Sequence, residues 1–179
     1  MDIKTLVKVT SRAWSLNILA LMQAGTPGRQ ASLLSASGAG RTAFAQSLDH
    51  LVDLGLLERN PGHGHPLRPE YQLTLTGTEV AKFADEITRA APPTSKCALL
   101  RRAWTIPVLA VSQKPRYFIE IKRELVSISD RALSQSLKQL QTQRWLRRKV
   151  DMQTRPPRPL YQAANVGARI SQATRLETP

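Results

Sequence analysis

The chain has 179 residues, room for one medium domain or two small ones, and is 41% hydrophobic but only 5% aromatic, so its core must be mostly aliphatic. A single cysteine excludes an intrachain disulfide framework, and the most apolar early run, Leu16 to Met22, is far too short to span a bilayer. The formal net charge of +13 favours a polyanionic partner.

Met1 is followed by no charged-then-apolar leader, so a soluble, cytoplasmic, nucleoid-associated protein is expected. Trp14 to Ala24 reads as a helix ending at Gly25, and Gln30 to Ala36 as a short one. Arg41 to Leu54 carries Phe44, Leu48 and Leu51 at i, i+4, i+7, a single buried stripe, with Gly55 as its stop. Leu56 to Arg59 and Tyr71 to Leu75 form a hairpin whose tip is Asn60 to Pro69. His63 and His65 in that tip read as polar loop residues, not ligands. Thr78 to Arg89 closes the unit, with Val80, Phe83, Ala84 and Ile87 on one face. Ala90-Ala91-Pro92-Pro93-Thr94-Ser95 is the expected seam, because paired prolines cannot continue a helix.

Beyond the seam, Pro107 requires the next helix to start near Trp104 or Thr105, where a missing N–H costs nothing. That helix runs to Val111 and Lys114-Pro115 breaks it. Phe118, Ile121 and Leu125 mark a short amphipathic helix. Ser129 is a good N-cap for the following one, which buries Leu133, Leu137 and Leu140. Trp145 to Val150 and Leu160 to Ala163 read as strands joined by a turn rich in Pro and Arg, Met152 to Pro159.

The second half repeats the first. Arg12-Ala13-Trp14 returns as Arg102-Ala103-Trp104, Gln46-Ser47-Leu48 as Gln135-Ser136-Leu137, Pro69, Tyr71 and Gln72 as Pro159, Tyr161 and Gln162, and Gly77 as Gly167. The offset stays at 89 or 90 residues throughout. The period is too long for a solenoid. The expected class is therefore mostly α with small β-hairpins (α+β), in two domains, 1–90 and 91–179. Helix, short helix, longer helix, hairpin is the order of a winged helix-turn-helix, whose longer helix enters the major groove of DNA. The charge is lopsided: residues 1–90 hold 9 Lys/Arg against 8 Asp/Glu, and residues 91–179 hold 17 against 5.

The second half resembles the HxlR-type winged-helix regulators of bacteria. The likeness rests on Trp104-Thr105-Ile106, Arg116-Tyr117-Phe118, the run Ile128 to Lys138, and Arg155-Pro156-Pro157-Arg158-Pro159-Leu160-Tyr161, with Cys97 where that family often has a cysteine. The first half matches more weakly, through Trp14, Gln46-Ser47-Leu48, Leu56 to Arg59 and Pro69 to Thr74. The resemblance implies double-stranded DNA as partner. Family members are usually single units that bind as homodimers, so the two halves here are expected to imitate a dimer within one chain, with a homodimer of the whole chain as the alternative.

Candidate DNA contacts lie off the buried stripes. Arg131 and Lys138 can donate to guanine edges or phosphates, Gln135 can pair with adenine, and Ser134 can reach either. Arg147, Arg148 and Lys149 lead into the wing, where Arg155 and Arg158 suit phosphate or minor-groove contact. In the first half Arg41, Thr42, Gln46 and His50 are candidates, but Asp49 stands where the second half has Lys138. That half reads either as a second reader or as a packing and partner-binding unit. Cys97 is a small core residue or a thiol activated by Arg101. No Gly-rich phosphate loop, metal-ligand spacing or nucleophile constellation is present, so neither an enzyme nor a cofactor or metal is expected. The expected function is a sequence-specific DNA-binding transcription regulator, a repressor since occlusion needs only binding. A chromosome-architecture or replication-initiator protein is the alternative.

Overall fold

A computed structural model describes residues 1–60, 69–91 and 97–176, and for Cys97 the backbone alone. The tip with His63 and His65, most of the seam and the Cys97 side chain thus lie outside the described residues. The chain divides into two compact units: Arg12–Thr88, and Met1–Ser11 together with Arg89–Pro179. This division differs from the halves 1–90 and 91–179. The difference comes from a helix outside the expected elements, α1 (Ile3–Thr10).

Asp2 starts α1, accepting from the Thr5 N–H at 3.0 Å and from its hydroxyl at 2.6 Å. Leu6, Val9 and Thr10 are buried, and the helix packs on α7 (Thr105–Val111) and α8 (Phe118–Leu125). The first eleven residues therefore complete the core of the unit built by the far end of the chain.

In the Arg12–Thr88 unit the order is α2 (Ser15–Gln23), α3 (Gln30–Ser37), α4 (Arg41–Asp53), β1 (Leu57–Asn60), β2 (Glu70–Leu73) and α5 (Leu75–Ala90). Phe44, Leu48 and Leu51 are fully buried, as their spacing requires. Gly55 follows α4 at φ +67°, the left-handed stop that glycine adopts without strain. The closing helix starts one turn earlier than the sequence indicated. Thr74 accounts for this: its hydroxyl accepts from the Gly77 N–H at 2.9 Å, and its carbonyl from the Thr78 N–H at 2.8 Å.

The other unit repeats this plan with α6 (Cys97–Leu100), α7, β3 (Arg116–Tyr117), α8, α9 (Asp130–Thr142), β4 (Leu146–Asp151), β5 (Arg158–Ala163) and α10 (Val166–Ala173). Pro107 sits in the first turn of α7. Ser129 caps α9, accepting from the Ala132 N–H at 3.2 Å. Leu133, Leu137 and Leu140 are buried beneath α9. The sheet has the antiparallel order β3-β5-β4, which leaves β4 on an edge.

The tail after Gly167, weakly apolar in sequence, is used inside its own unit. Helix α10 packs on α7 with Ile170 fully buried, and the Ser171 hydroxyl donates to the Leu109 carbonyl at 2.8 Å. Gly167 lies so close to the Trp145 carbonyl that a Cβ would collide with it. Gly77 stands in the same relation to the Leu56 carbonyl. A glycine held in register by the repeat thus marks the same backbone crossing in each copy.

Candidate nucleic-acid interface

Because Leu133, Leu137 and Leu140 turn one side of α9 inward, the opposite side faces solvent. Arg131, Ser134, Gln135 and Lys138 are all exposed on that side. Lys122 of α8 pairs with Asp130 at the start of α9, 2.6 Å apart, which ties the two helices of the turn together. The turn between them is tight: Ser127 N–H reaches back to the Leu125 carbonyl, with Val126 between them at φ +49°.

The sheet separates the three basic residues of β4. Arg147 lies opposite Gln162, Lys149 opposite Leu160 and Asp151 opposite Arg158, so these pairs share one face. Arg148 lies opposite Tyr161, on the other face, which also points toward the core. The strand pairing thus gathers Arg147, Lys149 and Arg158 and sets Arg148 apart from them, though all four side chains are exposed. Arg147 donates to the Gln162 amide oxygen at 3.2 Å. Arg155 is exposed in the turn between the strands.

Two features of this surface are not legible in the sequence. The first is a pair within the basic face: the Tyr117 hydroxyl donates to Asp151 Oδ2 at 2.5 Å, joining the start of α8 to the end of β4. This hydrogen bond raises the Tyr117 pKa above its ordinary value, with the nearby Arg158 charge opposing it, and holds the Asp151 carboxyl below its own. Tyr117 lies in a motif of the resemblance, but its pairing with Asp151 cannot be read there, since it depends on β3, a strand only two residues long behind Lys114-Pro115. The second is Arg102. It lines a cleft of about 690 Å³ with Ala98, Leu99, the α9 residues Gln135, Lys138, Gln139 and Thr142, and Gln143 just beyond that helix. The cleft places a further cation beside the outward side of α9.

In the other unit Arg41, Thr42 and Gln46 are exposed along α4, while His50 is half-buried. Arg41 borders a hollow of about 650 Å³ with Arg29, Gln30, Ser32, Phe44 and Pro69. Arg29 is held there by Glu70, Nε to Oε1 at 2.8 Å. Asp49, Asp53 and Glu58 are exposed in the same unit.

Among the described residues, no group of three or more His, Cys, Asp and Glu side chains could hold a metal ion, and no helix is long and apolar enough to cross a membrane. No curated protein and no solved structure matches the chain. A family model for the HxlR-like helix-turn-helix matches it twice, over residues 9–92 and again over residues 99–176. The two matches fall on the two copies of the helix, short helix, longer helix, hairpin plan, and together they span most of the sequence. The chain therefore belongs to the HxlR-like helix-turn-helix family of DNA-binding transcription regulators.

Proposed function

We propose that the protein is a sequence-specific repressor that binds double-stranded DNA through α9 and the β4–β5 wing, with its two units acting as a dimer within one chain. The observation that carries this reading is the exposed side of α9, where Arg131, Ser134, Gln135 and Lys138 stand clear of the buried leucines. The major groove is wide enough for such a helix. Arg131 and Lys138 supply donors for guanine or phosphate, Gln135 suits adenine, and Ser134 serves either. Arg147, Lys149, Arg155 and Arg158 then meet the backbone or the minor groove beside the wing, with Arg148 as a flanking cation. Arg41, Thr42, Gln46 and His50 are the corresponding surface of the first unit. Repression is favoured over activation because blocking a promoter requires occupancy alone. The dimer-like reading is supported by the internal duplication.

The test is a salt titration of binding to the DNA upstream of the protein's own coding sequence, beside a scrambled duplex of equal length. Preference for the upstream fragment that persists at physiological salt is expected. Replacing Arg131 and Lys138 together by Ala should weaken that binding by about ten-fold or more. Equal, salt-labile binding to both duplexes would reflect counterion release alone and would favour an architectural role. Unchanged affinity in the double variant would remove α9 as the reading helix.

A further inference from the structure

The 89-residue offset lays α4 over α9 and β1 over β4, so the two outward surfaces can be compared position by position. Along α9 the outermost line, at i, i+4, i+7, i+11, is Arg131, Gln135, Lys138 and Thr142. The matching line of α4 is Thr42, Gln46, Asp49 and Asp53, and every residue of both lines is exposed. Across these lines, the two cations belong to one unit and the two carboxylates to the other, with Lys138 directly matched by Asp49. The strands repeat the reversal: Arg147 of β4 is matched by Glu58 of β1, also exposed. The buried positions do not diverge in this way, since Phe44, Leu48 and Leu51 are as fully enclosed as Leu133, Leu137 and Leu140. The duplication has kept the core and reversed the charge along the outermost line of the helix and at Glu58, while Arg59 keeps the charge of Arg148 and Arg41 stands where α9 has Asp130.

A helix in the major groove runs between two rows of phosphates, and carboxylates along its outer line meet both rows as like charges. We infer that DNA is read at a single half-site by the second unit, and that Asp49, Asp53 and Glu58 keep α4 and β1 of the first unit out of the groove. This rests on α9 and the β4–β5 wing as the reading surface proposed above, and it confines the dimer-like relation of the units to their fold. It means that the operator is asymmetric even though the fold is duplicated.

The experiment is selection of binding sites by the intact chain from a duplex library with a randomised centre, followed by affinity measurements on the enriched duplex. A single asymmetric tract is expected. Arg131→Ala should then weaken binding by about ten-fold or more, whereas Asp53→Ala should not weaken it. Asp49→Lys combined with Glu58→Arg restores the second unit's charges at exposed positions. It should tighten binding and steepen the salt dependence by about 0.9 in log–log slope for each additional phosphate neutralised. Enrichment of an inverted repeat, or weaker binding after Asp49→Ala (as when Asp49 accepts from a cytosine amino group), overturns the inference and leaves the proposed function standing. Enrichment of no sequence at all removes both.

Discussion

Asp151 is an acid placed among the cations Arg147, Lys149 and Arg158 of one sheet face, and its partner explains how it can be there. Tyr117 donates to it from the start of α8, so the carboxylate fastens the turn end of β4 and is not left unpaired among the cations. The Gln153 N–H also donates to Asp151, at 2.9 Å, which draws the first residues of the turn into the same arrangement. The signs of the two pKa shifts set a window. A depressed Asp contributes stability that is present above its ordinary 3.8 and is lost as pH falls through the lower folded value. A raised Tyr contributes stability that is full below its ordinary 10.0 and is lost as pH rises through the higher folded value. The wing is therefore expected to be fastened across the neutral range and loosened only at the extremes. Tyr117→Phe should move the Asp151 carboxyl titration, followed by NMR, upward toward 3.8. Amide exchange should become faster in the turn after β4, with α9 unaffected. A carboxyl titration that the substitution leaves in place would mean that the pair does not form in solution.

The elements meet at points the duplication makes easy to find but not easy to interpret. Gly77 and Gly167 match in the repeat, and the structure supplies the reason: a carbonyl from the residue opening the hairpin lies against each Cα. Thr74 N–H bonds the Leu56 carbonyl at 3.1 Å and Ala164 N–H the Trp145 carbonyl at 2.9 Å, so these oxygens are not free to retreat. Gly167→Ala should destabilise its unit by about 1–3 kcal/mol through this overpacking, and Gly77→Ala should do the same to the other. Thermal unfolding of each variant checks it, and a shift below a few tenths would mean that the closing helix slides without cost. What the sequence made legible follows the same line. Helices α4 and α9 announce themselves because a leucine stripe at 3.6-residue spacing has no other use, and the exposed residues beside the stripe are fixed once the stripe is. Helix α10 is hidden because its inward face is Gly167, Ile170 and Ser171, where close packing comes from smallness and a hydroxyl, not from apolar bulk. Strand β3 is hidden because two residues carry no periodicity, and Tyr117–Asp151 is hidden with it. Helix α1 does carry a pattern, with Asp2 as cap and Ile3, Leu6, Val7 and Val9 as apolar residues, but it is only eight residues long and its partner lies about a hundred residues away.

At the scale of the whole chain, the path of the polypeptide couples the two ends. Met1–Ser11 belongs with Arg89–Pro179, and the Arg12–Thr88 unit is inserted between them. The repeat unit and the compact unit are therefore not the same thing: the family match begins at residue 9, whereas the inserted unit begins at Arg12. Leu6 and Val9 are fully buried. At about 1.5–3 kcal/mol for each such side chain, α1 contributes on the order of 3–6 kcal/mol to the unit it joins. That is a large share of the roughly 5–15 kcal/mol by which a domain is typically stable. Leu6→Ala should accordingly cost about 2–5 kcal/mol, and the loss should appear in the wrong half of the sequence. Amide exchange in α7 and α8 should accelerate, while α2, α3 and α4 keep their protection. The same asymmetry is expected of a fragment beginning at Arg89: it should be less stable than that fragment with residues 1–11 supplied through a flexible linker. If Leu6→Ala instead weakened protection in α2 to α4 and spared α7, α1 would belong to the unit that follows it in sequence. The chain would then be two self-contained domains in a row, and the link between its two ends would be lost.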